Sequence, residues 1–141
     1  MVRTLSQRRR AQLKHTLASK RQILSRQESG RSIFLPECAY CGKGINGSPD
    51  MHEVLFTKGD VSTEEQKVLI TNACNCVLVH PGGNTSACHS GIQSQQGQEI
   101  AIQHLRKWEG TDKLVQYVFM MSDHMKGSQC EAAYYLVKGG A

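Results

Sequence analysis

Large apolar side chains are scarce in this chain. It holds three Phe, four Tyr and one Trp in 141 residues. That length permits one domain with a core, or a small domain with an arm. A core so thin in aromatics usually leans on a metal or a partner. Long apolar runs are also missing: none approaches the roughly 20 residues needed to cross a bilayer, so no membrane span is expected. No secretory leader is visible, with its basic start, apolar centre and cleavage site. A disulfide framework is therefore not the default use of the six cysteines. The expectation is a reducing cytoplasm with thiolate-bound metal. There is no internal repeat and no low-complexity tract.

Charge is present but uneven. Residues 1–32 carry nine Lys or Arg against one acid, Glu28. The remaining residues carry eight bases against eleven acids, so the net charge of +5 hides a basic arm on a mildly acidic body. Such asymmetry points to a polyanion, nucleic acid first. Arg8, Arg9, Arg10, Lys14, Lys20 and Arg21 are the expected phosphate contacts. From Ser6 to about Gln27 the composition favours one amphipathic helix, with Leu13, Leu17 and Leu24 on one face.

The chain divides into three expected parts: a basic helical arm over 1–34, a loop-rich centre over 35–97 and a helical extension over 98–141. In the centre, Met51–Phe56 and Asn75–Val79 read as strands. Ser62-Thr-Glu-Glu65 reads as a capping box between them, and a helix is expected to open near Ala87. In the last part, Ala101, Leu105 and Trp108 recur at helical spacing, Gly110 suits a C-cap, and Thr111 opens a helix through Leu114, Val118 and Met121. Ser128-Gln-Cys-Glu131 reads as a further capping box. Tyr117, Phe119, Met120 and Met121 read as core more than as a surface for a second copy.

Two kinds of chemistry are interleaved in the centre. Cys38 and Cys41 form a C-x2-C knuckle, which puts two thiolates on one tight turn. A structural zinc site needs four N or S donors, and His80 and Cys88 are the best further candidates. His89, next to Cys88, is an alternative donor. Cys74, Cys76 and Cys130 have no evident partners and read as free thiols.

Without those four donors, His52, Glu53, Asn75 and His89 remain. Together, CAYC at 38–41, DMHEV at 50–54, NCVLVH at 75–80 and ACH at 87–89 make residues 38–93 resemble an HNH nuclease module, the ββα-metal fold. The likeness is strongest to the small HNH proteins of bacteriophages and mobile elements. It implies an α+β protein, a zinc-stabilised ββα-metal core between a basic arm and C-terminal helices. It also implies a metal-dependent endonuclease or nickase acting on double-stranded DNA. Zn²⁺ would be structural, with Mg²⁺, Mn²⁺ or another divalent cation at the catalytic site. His52 and His89 would hold that cation, Glu53 would act as base, and Asn75 would orient the base or brace its loop. A second register makes Asp50 a ligand and His52 the base; alternation puts Asp50 and His52 on one strand face.

This chain departs from the family at three places. His52-Glu53 stands where Asp-His or His-His is usual, His80 stands where Cys is common, and the loop from His80 to Cys88 is long. Glu53 motivates an alternative: a zinc-stabilised nucleic-acid-binding or phage packaging protein with a degenerate nuclease site. A homodimer would let one site per chain cut both strands. If phage-encoded, the protein would work in the host cytoplasm.

Overall fold

The computed structural model describes residues 14, 17–24, 35–83 and 86–139. Arg8, Arg9, Arg10 and Leu13 lie outside them. The protein is α+β, with a two-stranded antiparallel sheet and helices around it. Residues 17–24 are helical (α1). Then come β1 (Asp50–Glu53), α2 (Glu64–Leu69), β2 (Cys76–Val79), α3 (Ala87–Ile92), α4 (Gln95–Glu109), α5 (Thr111–Met121) and α6 (Gly127–Lys138).

β2 occupies the middle of the domain, and all four of its residues are buried. Its sequence, Cys-Val-Leu-Val, has no polar position to turn toward water, as expected of a strand covered on both faces. On one side it pairs with β1, in the register Asp50↔Val79, His52↔Val77 and Glu53↔Cys76. On the other, Ala39 N–H donates to the Leu78 carbonyl at 2.8 Å, which attaches the knuckle. α3 then packs against both strands, and α4 packs against α3 and β2. One buried cluster runs from Ile23 through Ile92, Leu105 and Leu114 to Val137, so the core continues past residue 97 into the last helices.

Several predicted boundaries move, each for a local reason. β1 stops at Glu53 and does not reach Phe56, because the Asn75 side chain takes the N–H groups of Leu55 and Phe56. Asn75 itself lies in a 3-10 turn before β2. α2 is capped by Thr63, with Gln66 reaching back to its N–H at 3.1 Å, one residue later than the predicted box. α6 opens at Gly127, where Lys126 N–H donates to Gln129 Oε1 at 3.3 Å, so Ser128 does not cap it. The arm docks through Ser19 and Ile23, one turn apart, while Leu17 is 52% exposed. α1 is thus rotated from the leucine face that spacing alone suggested. Of the Met and aromatic run, Tyr117 and Met121 are buried, whereas Phe119 is 62% exposed and Met120 faces outward. Gly110 ends α4 at φ +87°, a conformation that favours glycine.

Two glycines allow close approaches to α3: Gly91 to Tyr40 of the knuckle, and Gly97 of α4 to the end of α3. A Cβ on Gly91 would strike the ring end of Tyr40, and one on Gly97 would strike backbone atoms of Ile92 at 2.6 Å. A ring can swing away; backbone cannot. Ala in place of Gly within a helix normally gains up to about 1 kcal/mol. Overpacking costs about 1–3 kcal/mol. Gly97→Ala is therefore expected to lower the stability read from urea unfolding, and by more than Gly91→Ala.

Candidate metal and catalytic site

The first group of functional residues forms around the knuckle. Cys38 N–H donates to the Lys43 carbonyl and Gly42 N–H to the Cys38 carbonyl, both at 2.9 Å, closing a tight turn. Gly42 has φ +77°, which a side chain would strain. His80 follows directly on β2, and Cys88 sits in the first turn of α3. Ser86 caps α3, accepting from His89 N–H, and its hydroxyl donates to the His80 carbonyl at 3.1 Å. That bond ties the two distant donors together.

The donor atoms of Cys38, Cys41, His80 and Cys88 all lie within 4.8 Å of one another and can bind a metal ion. Bond lengths of about 2.3 Å to sulfur and 2.0 Å to nitrogen put tetrahedral neighbours roughly 3.5–3.8 Å apart, so three sulfurs and one imidazole at this spacing suit zinc. Cys41 Sγ is 3.5 Å from His80 Nδ1. His80 Nε2 lies 3.2 Å from the Gly44 carbonyl, which can only accept; Nε2 therefore carries the proton and Nδ1 keeps its lone pair for the metal. Burial pushes the Cys41 thiol up, but hydrogen bonds from the Lys43 backbone, Cys38 and Cys88 outweigh it, and the thiol ends below its usual value. Burial and the two neighbouring sulfurs push Cys88 up to about 12. Three sulfurs resist sharing this space as anions unless a cation joins them.

The second group lies across β1 and α3. His89 Nδ1 approaches Asp50 Oδ2 to 3.1 Å. Nδ1 is buried and has no partner in hydrogen-bond geometry, so the two atoms are close without pointing at each other. Gly83 N–H donates to the same Asp50 oxygen at 3.2 Å and holds it in place. His52 is half-buried two residues along β1, on the Asp50 side. Burial, and then the nearby His89, lower its basicity and keep its imidazole neutral. The short approach to His89 that the structure records comes from Asp50, the ligand of the second register.

Glu53 alternates to the other face of β1. Its Oε2 is buried with no hydrogen-bond partner, and burial raises its carboxyl above the usual range, against a downward pull from Lys58. Asn75 touches none of these groups. It is fully buried. Its Oδ1 accepts from Leu55 N–H at 2.7 Å and Phe56 N–H at 2.9 Å, and its Nδ2 donates to the carbonyls of Phe56 at 2.7 Å and Ile70 at 2.8 Å. It braces the chain that leaves β1.

A cavity of about 760 Å³ opens beside β1, lined by Asp50, Glu53, His89, Lys20, Lys58 and Lys67 among others. Lys58 and Lys67 escaped notice in the sequence because they lie on separate short elements and share no spacing. Of the predicted arm contacts, Lys14 and Arg21 are exposed and Lys20 reaches the cavity. Among the described residues, no helix is long and apolar enough to cross a membrane. Comparison with protein-family models, curated proteins and solved structures gives no match for the chain.

Two outcomes follow from this geometry. Cys38→Ser, or a strong chelator, is expected to lower the melting temperature together with the bound metal content, because a metal gathered by the fold adds its binding energy to folding; unchanged values of both would remove the four-donor assignment. Asn75→Ala strands two N–H groups and two carbonyls, so a loss of about 3 kcal/mol or more is expected in chemical denaturation.

Proposed function

We propose that this chain is a metal-dependent endonuclease of the HNH, or ββα-metal, type, hydrolysing phosphodiester bonds in DNA. The observation that carries the reading is the approach of His89 on α3 to Asp50 on β1. It lies in a β1–β2–α3 arrangement that also gathers the four sulfur and imidazole donors. The HNH-like order of motifs along residues 38–89 supports it from the sequence side.

In this reading Zn²⁺ at Cys38, Cys41, His80 and Cys88 is structural. Asp50 and His89 would hold the divalent ion, Mg²⁺ or Mn²⁺. Such an ion supplies Lewis acidity at the scissile phosphate. His52, neutral and on the same side as Asp50, takes a proton from the attacking water. The water oxygen bonds to phosphorus, the bond from phosphorus to the 3′-oxygen breaks, and a proton from solvent water completes the departing hydroxyl. Asn75 acts as a positioning residue through the loop it braces. Glu53 lines the same cavity as Asp50, His89 and Lys58, with its carboxyl raised by burial, and in this reading it shapes that space.

The test is nicking of supercoiled plasmid with Mg²⁺, Mn²⁺ or Ni²⁺. Wild-type protein is expected to yield relaxed circles. Asp50→Ala, His52→Ala and His89→Ala are each expected to lose about 100-fold or more, the scale of a missing acid–base or metal contribution. Glu53→Ala is expected to keep most of the rate; if it fails as His52→Ala should, Glu53 is the base. DNA retardation with no cutting under any metal would replace the enzyme by a zinc-stabilised binding or packaging protein.

A further inference from the structure

The proposed function does not say how the substrate strand is held. The cavity beside β1 has cationic side chains from three separate elements: Lys20 on α1, Lys58 in the 3-10 turn after β1, and Lys67 on α2. They border the same space as Asp50 and His89. α1 is not loosely attached there. Ile23 is fully buried and Ser19 is 8% exposed, so the helix is seated on the body with Lys20 between these two anchors. Of the three described arm cations, Lys14 and Arg21 face solvent while Lys20 is half-buried.

Ammonium groups at a cavity that also holds carboxylates do two things. They offset the field of Asp50 and Glu53, which would otherwise repel a polyanion. They also offer point charges to phosphate oxygens without demanding a base sequence. We propose that α1 is a wall of the substrate cleft, and that Lys20, with Lys58 and Lys67, binds the backbone phosphates flanking the scissile one. The arm then has two roles: Lys20 sits at the reacting strand, and its exposed cations make outlying contacts. The inference rests on the nuclease reading for the word scissile, but anion binding by the wall is measurable without it.

The experiment is equilibrium binding of a fluorescent DNA duplex to the as-purified protein without added divalent cation, over a range of salt. Lys20→Ala, Lys58→Ala and Lys67→Ala are each expected to lower the slope of log affinity against log salt by about 0.9. At 0.1 M salt that slope corresponds to about 8-fold weaker binding, relative to 1 M. Lys126→Ala, at the residue before α6 and not among those lining the cavity, serves as the control for loss of one charge anywhere. Lys20→Arg keeps the charge and is expected to bind close to wild type, which separates a lost contact from undocking of α1. If Lys20→Ala binds no worse than Lys126→Ala, or Lys20→Arg fails as Lys20→Ala does, the wall is overturned. Plasmid nicking run in parallel separates the two ideas. Cutting that needs His89, with binding indifferent to Lys20, keeps the nuclease and removes the wall. Binding that needs Lys20, with no cutting under any metal, keeps the wall and removes the nuclease.

Discussion

The convergence of Cys38, Cys41, His80 and Cys88 is the constraint on which this molecule depends. Each donor comes from a part of the chain with little else to hold it. The knuckle is a short turn rich in glycine, the loop after β2 carries two glycines in left-handed conformation, and α3 is under two turns long. None of these forms stably alone in water, since a helix of that length lies far below the isolated limit of about 12 residues. Joined at one point, they place β2 between β1 and the knuckle and set α3 across both strands. The second pair, Asp50 and His89, exists only because of that placement.

Three polar side chains complete the support, and each bonds to backbone groups. The Asn75 amide is matched at all four of its hydrogen-bonding positions against the chain leaving β1 and the end of α2. The Tyr117 hydroxyl donates to the Leu69 carbonyl at 3.0 Å, and its ring meets Phe56 edge-on. These join the sheet region to α5 in a protein with few aromatics. Arg106 does the same at the far end, donating to the carbonyls of Leu136 and Val137 and so capping α6 from α4. Such bonds anchor elements without large buried area, which is how so modest an apolar content still yields one continuous core.

Metal-type donors were legible in the sequence because their chemistry is local and their spacing narrow. Cys38, Cys41, His80 and Cys88 stand out in any reading, and so does the start of α3. The helices of the last third were legible for a different reason: Ala101, Leu105, Leu114 and Val118 repeat at helical period, and all four are buried. Features set by tertiary partners were not legible. Nothing in Met51–Phe56 says that a side chain twenty residues later will capture two of its N–H groups and end the strand early. Leu17 has the right spacing to be buried, yet the docking of α1 is decided by Ile23. The approach of Asp50 to His89 spans two elements, and the lysines of the cavity come from three.

Cys88 and His89 are neighbours on α3, and successive residues on a helix point about 100° apart. One short helix thus sends two consecutive side chains to two places, Cys88 to the sulfur and imidazole donors and His89 to Asp50. A slip of α3 by a single residue would hand His89 to the sulfur cluster and leave Asp50 facing nothing. Ser86 at the start of the helix and Gly91 beneath the Tyr40 ring set its phase. Residues of this kind, with no ligating group in play, keep Cys88 and His89 on their separate partners.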